Sequence, residues 1–118
     1  VLRLAEQYLI RAEARAEQGN LDGAISDLDA IRDRAGIEQI SNTNAGISKN
    51  DLLDEIIKER RRELFAEWGH RWFDLKRTDK ANAVLGSGDP YWEDTDVFYP
   101  IPEEERRKNT NLSQNPGY

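Results

Sequence analysis

Few residues in this chain could do chemistry. The single histidine, His70, stands four residues before Asp74, a spacing that brings two side chains onto one helix face. A histidine–carboxylate pair can act as a general base, but it then needs a nucleophile and an oxyanion site, and the sequence offers neither nearby. The expected role is a structural hydrogen bond that docks a short helix over 71–80. Glu59, Glu63 and Glu67 repeat at four-residue spacing, and glycoside hydrolysis uses two carboxyl groups across a cleft. Arg60, Arg61 and Arg62 stand among them, and a neighbouring cation stabilises the ionised carboxylate that a general acid must not be. Arg60, Arg61, Glu63, His70 and Asp74 are therefore expected to form a structural network, and no residue is expected to be catalytic.

A second group lies in the loop after Gly86. Asp89, Glu93, Asp94 and Asp96 are oxygen donors of the kind calcium takes, but their spacing matches no EF-hand loop, so a solvated loop and no metal are expected. Tyr91 and Trp92 sit among them, flanked by glycine and proline. Sugars stack their C–H faces on flat aromatic rings while nearby carboxylates bind hydroxyls. Trp92, Tyr91, Asp89 and Glu93 are thus the local candidates for ligand binding. In the alternative role Trp92 pins the loop onto the helices. Trp68 and Trp72 lie on helical stripes and are expected in the core.

Composition narrows the classes further. The chain has 118 residues, enough for one modest core, and 17 Lys+Arg against 23 Asp+Glu leave a net charge of −6. Such a balance argues against nucleic acid as a partner. Without cysteine there are no disulfides, thiolate zinc sites or thiol catalysis, and one histidine excludes multi-histidine metal centres. No apolar run approaches a membrane span. Val1-Leu2-Arg3-Leu4 already reads as helix with no capping residue before it, so the chain is expected to be part of a longer one.

The positioning elements follow from periodicity. Leu2, Ala5, Leu9, Ala12 and Ala16, with Tyr8 beside them, form one stripe over residues 2–18, closed by Gly19. Leu21, Ala24, Ile25, Leu28, Ile31 and Ala35 form the next, closed by Gly36. So short a connection makes the two helices antiparallel. Residues 37–50 read as a mobile loop, ending in a capping sequence at Ser48. A third helix is expected over 51–68 with Leu53, Ile56, Ile57, Leu64, Phe65 and Trp68, and at least one of Arg60 and Arg61 is expected to be buried and paired. Prolines keep residues 97–102 extended, one helical turn follows over Glu103–Lys108, and the asparagine-rich tail is irregular. The fold class is mainly α, with long irregular loops.

Tyr8, Ala12, Gly19, Leu21, Ala24, Leu28 and Ile31 resemble one tetratricopeptide unit over 8–36, followed by a second helix pair over 51–80 and a loop and tail over 81–118. The wider pattern is more specific. Leu4-Ala5-Glu6-Gln7-Tyr8-Leu9-Ile10-Arg11-Ala12-Glu13-Ala14 is followed by Ile31-Arg32-Asp33-Arg34-Ala35-Gly36 and Glu59-Arg60-Arg61-Arg62-Glu63-Leu64. Then come Gly69-His70-Arg71-Trp72-Phe73-Asp74-Leu75-Lys76-Arg77, Tyr99-Pro100-Ile101-Pro102 and Asn111-Leu112-Ser113-Gln114-Asn115-Pro116-Gly117-Tyr118. In this order they resemble the C-terminal part of the SusD/RagB family, over nearly the whole chain.

The resemblance implies a lipid-anchored protein of the outer membrane of Bacteroidetes-type bacteria, whose anchor lies at a far N-terminus absent from this sequence. It implies binding of oligosaccharides or other nutrients at the cell surface, delivery to a SusC-type TonB-dependent transporter, no cofactor and no reaction. This portion would serve mainly as helical scaffold. Two alternatives remain open: a tetratricopeptide-like module gripping a protein partner, and a carboxylate-dependent glycoside hydrolase.

Overall fold

A computed structural model describes residues 3–118; Leu2, placed above on the first stripe, lies outside the described residues. Among those residues the chain is helical with no strand: α1 (Leu4–Glu17), α2 (Leu21–Arg34), α3 (Ile40–Thr43), α4 (Lys49–Glu63), α5 (His70–Arg77), α6 (Ala81–Leu85), a 3-10 turn (Asp94–Val97) and α7 (Glu103–Lys108). Two compact units divide it, residues 1–71 and 72–118.

In the first unit the two expected stripes meet. Ala5, Leu9, Ala12 and Ala16 of α1 pack with Ala24, Ile25, Leu28 and Ile31 of α2, and α4 adds Leu52 and Ile56. Small alanines let α1 and α2 approach closely, and each fully buried leucine or isoleucine stabilises the unit by roughly 1.5–3 kcal/mol. Gly19 closes α1 at φ 81°, with Asn20 N–H donating to the Arg15 carbonyl and Gly19 N–H to that of Ala16. This left-handed closure costs an L side chain but not glycine. Asn20 then caps α2 by accepting the Gly23 N–H on its side chain. Arg3 is extended, at φ −108° and ψ 137°, and therefore precedes the helix instead of joining it.

Three expectations need correction here. Residues 37–50 are not a simple loop. The Asp29 carboxylate accepts the N–H groups of Ile40 (2.6 Å) and Ser41 (3.1 Å), fixing the start of α3, and Ile40 and Ile47 are buried. The third helix begins at Lys49, capped by Ser48 Oγ, and ends at Glu63 rather than at 68. Beyond it Ala66 and Trp68 take positive φ (58° and 44°), so the backbone leaves the helical path. Phe65 and Trp68 consequently point outward, 77% and 75% exposed; Trp68 is not core.

The second unit begins within α5. That helix stops at Arg77, three residues before the expected end, where Asp79 adopts φ 55°, and α6 follows as an element not anticipated. Leu75 and Ala81 are its fully buried apolar residues, and Trp72 is half-buried. Val97 closes the 3-10 turn, after which residues 98–102 are extended and α7 starts behind Pro102. The tail folds back along this segment. Asn115 Nδ2 donates to the Tyr99 carbonyl at 2.7 Å, and the Tyr118 hydroxyl donates to that of Phe98 at 2.8 Å.

Candidate functional site

The aromatic loop is built on α6. Asn82 accepts the Trp92 indole N–H on its side-chain oxygen at 3.0 Å and donates to the Asp94 carbonyl at 3.4 Å, so one amide ties both ends of the turn. The indole comes close because position 86 is glycine: a Cβ there would lie 3.0 Å from Trp92 Cδ1 and 2.6 Å from the Asn82 carbonyl oxygen. Trp72 meets Trp92 (centroids 6.5 Å apart, 71° between planes) and Tyr99 (5.8 Å, 66°) in T-shaped contacts, while Lys76 Nζ sits 5.4 Å from its ring centre. Trp92 is thus half-buried, with its polar handle already used.

The other candidates behave differently. Tyr91 is 88% exposed, its ring standing free of the cluster. Asp89 accepts the Tyr91 N–H at 2.9 Å, and its own carbonyl accepts the Trp92 N–H at 3.2 Å, which fixes the turn that carries both rings. Glu93 and Asp96 cap the 3-10 turn reciprocally. Both carboxylates therefore shape the loop, and each retains acceptor capacity for a hydroxyl group.

The arginine–carboxylate groups form several clamps. Glu63 binds Arg3 at 2.6 Å and Arg34 at 2.5 Å, and Arg3 also reaches Glu67 and the Glu63 carbonyl. Arg60 is 5% exposed and Arg61 lies in solvent. His70 turns Nδ1 toward Glu6 Oε1 at 3.7 Å, and buried Asp74 takes Arg77 through Nε (2.9 Å) and Nη2 (2.7 Å). Nothing here aligns a base with a nucleophile, and no group of three or more His, Cys, Asp or Glu among the described residues could hold a metal ion. No helix among them is long and apolar enough to cross a membrane.

Two clamps went unrecognised from the sequence. Arg11 grips Asp27 with a two-pronged fork (2.9 and 2.6 Å) while Arg15 adds a third bond at 2.7 Å and reaches the Gly23 carbonyl. The hydrogen bond and charge of Asp27 raise the Arg11 pKa above its ordinary value. Arg32 bridges Glu59 and Glu55, each at 3.0 Å. A signal existed for both. Asp27 occurs within the Ala24–Leu28–Ile31 stripe and Glu59 follows Leu52 and Ile56 on theirs, and a carboxylate on an apolar face demands a cation.

The model of the SusD family matches residues 1–118. SusD-like protein P2 of Formosa agariphila is 35% identical over 128 residues, covering 99% of this chain and 25% of its own. The starch-binding protein SusD of Bacteroides thetaiotaomicron is 33% identical, over 100% of this chain and 21% of its own. Among solved structures, a SusD-like protein from Bacteroides fragilis superposes with a TM-score of 0.80 at 29% identity, over 99% of this chain and 25% of that one. A SusD superfamily protein from Bacteroides thetaiotaomicron gives 0.73 at 29%, over 98% and 25%. The chain spans about a quarter of the length of the curated relatives it matches. With the helical fold, the ordered motif blocks and this match over every residue in agreement, the chain belongs to the SusD family.

Proposed function

We propose that this chain is the C-terminal helical portion of a glycan-binding protein of the bacterial outer surface, which passes its ligand to a SusC-type TonB-dependent transporter. The observation that carries this reading is the match of the entire chain to a relative named as a starch-binding protein. The parent acts by binding, with no reaction, cofactor or metal. It is held at the outer membrane by an N-terminal lipid anchor. Within it the clamped helices of residues 3–71 serve as rigid scaffold. Tyr91, on the turn set by Asp89, offers a flat face to a sugar ring, with Trp92 and Glu93 forming the rest of that patch.

The test is calorimetric titration of the full-length protein with neutral and charged oligosaccharides, beside the same protein carrying Tyr91→Ala and Trp92→Ala. Binding that weakens in the double variant supports glycan binding and the patch; binding unchanged by it removes the patch but keeps the function. Heat from no saccharide, with a membrane barrel protein recovered in pull-down, favours a tetratricopeptide-like interaction module, a reading supported by the α1–α2 hairpin. Appearance of reducing ends that depends on Glu63 would favour a hydrolase, although both oxygens of Glu63 already face arginines.

A further inference from the structure

Lys58, Arg61, Arg62 and Phe65 line a surface groove of about 480 Å³ at the C-terminal end of α4. Lys58, Arg61 and Arg62, spaced by three and four residues, share one side of the helix, and Phe65 follows just beyond its end at Glu63. Arg61 and Arg62 stand in the last helical turn, where cations complement the helix dipole, and that accounts for their charge. It does not account for the phenyl ring beside them. Phe65 is 77% exposed, held out by a turn in which Ala66 and Trp68 adopt positive φ, a backbone state that costs of order 1–3 kcal/mol per residue.

Charge around the groove is unbalanced. Lys58 is bonded to Glu55 (2.8 Å) and feels Asp54, Arg62 touches Glu59 at 3.4 Å, and Arg32 already serves both glutamates. Of the three cations that line the groove, Lys58 and Arg62 are thus already paired, on a chain whose net charge is −6. Arg61 is the surplus: it has no carboxylate partner among the described residues.

We propose that this groove is a subsite for an acidic sugar unit, one bearing a carboxylate or sulfate. The inference rests on the glycan-binding reading above and adds a charge class to it. Arg61 presents a planar fork that matches either anion with two parallel hydrogen bonds. Phe65 supplies the apolar face on which the C–H side of the same ring lies. A neutral sugar would use the ring and leave the guanidinium idle.

Titrations of the full-length protein with a galacturonate hexamer, a sulfated galactan oligomer, neutral maltohexaose and polyglutamate test this. At least one acidic oligosaccharide binds, more weakly as salt rises. Arg61→Ala weakens it about tenfold, the loss of one charge-assisted contact. Arg61→Lys restores part of that loss, and Phe65→Ala weakens binding without changing the salt dependence. Circular dichroism verifies that each variant keeps its helix content. Unchanged affinity in Arg61→Ala overturns the proposal, as does polyglutamate binding as tightly as the acidic sugars, which would assign the groove to an acidic peptide. Binding of maltohexaose alone removes the subsite while the glycan reading survives; binding of no saccharide removes both.

Discussion

Gln114 imitates a strand edge toward Ile101: its side-chain oxygen accepts the Ile101 N–H at 2.7 Å, and its side-chain nitrogen donates to the Ile101 carbonyl at 3.1 Å. Prolines at 100 and 102 deny this segment a regular ladder, so a side chain provides the bonds that a neighbouring strand would. Gln114→Ala should release the tail, with Ile101 amide exchange accelerating by about tenfold, equivalent to one or two lost hydrogen bonds. Gln114→Glu keeps the acceptor and loses the donor, and should fall between. Exchange at Leu28, in the first unit, should not change in either variant.

The Asp27 clamp makes a different demand. Its side chain is 3% exposed, whereas those of Arg11 and Arg15 are 54% and 34% exposed. Removing the carboxylate lets the arginines return to water, so the cost is smaller than for a pair buried on both sides. Asp27→Asn should destabilise the protein by about 2 kcal/mol, read from urea denaturation. Arg11→Ala alone should cost less than Asp27→Asn, because Arg15 still pairs the buried acid.

Most of the first unit was legible because two local rules carry it, helical periodicity and glycine closure. Leu9, Leu28 and Ile56 follow from the first, Gly19 and Gly36 from the second. Periodicity failed at Phe65 and Trp68, where the stripe continues in the sequence but the backbone turns away at Ala66. Neither residue is glycine or proline, so no local signal marks the exit. The partners of Asp29 and Asp27 were hidden for another reason: each bond joins residues distant in sequence, which spacing along one helix does not reveal. In the aromatic loop the residues were identifiable by type. Which ring is held and which stands free depends on Asn82 and Gly86, ten and six residues away.

Acid should expose the α4 pairs. The hydrogen bond from Lys58, reinforced by the charges of Lys58, Arg32 and Arg62, holds the Glu55 carboxyl below its ordinary pKa against a smaller opposing effect of burial. With the folded value lower than the unfolded one, the unfolded chain takes up the proton first as pH falls. The contribution is therefore complete above the unfolded carboxylate pKa and is lost as pH drops through the folded one. Urea midpoints measured from pH 7 down to pH 3 should show a shallower acid decline for Glu55→Gln than for the parent. Lys58→Met should flatten the decline too, since the carboxyl then titrates nearer its unfolded value. An acid slope unaltered in both variants would remove Glu55 from the account.

Trp92 and Tyr91 are adjacent, yet substitution should separate them cleanly. The Trp92 indole holds Asn82 and meets the Trp72 ring, so Trp92→Ala deletes one hydrogen bond, an aromatic edge contact and half-buried area. A loss of about 2 kcal/mol is expected, below the range for a fully buried tryptophan. Trp92→Phe keeps the ring contact but leaves the Asn82 oxygen without its donor, and should cost about 1 kcal/mol. Tyr91 touches none of that cluster and is 88% exposed, so Tyr91→Ala should shift stability by no more than about 0.5 kcal/mol. If the loop binds sugar, the same Tyr91→Ala weakens saccharide titrations in a protein whose melting curve is unchanged. A large stability loss at Tyr91 with none at Trp92 would invert the assignment, making Trp92 the free face and Tyr91 the pin.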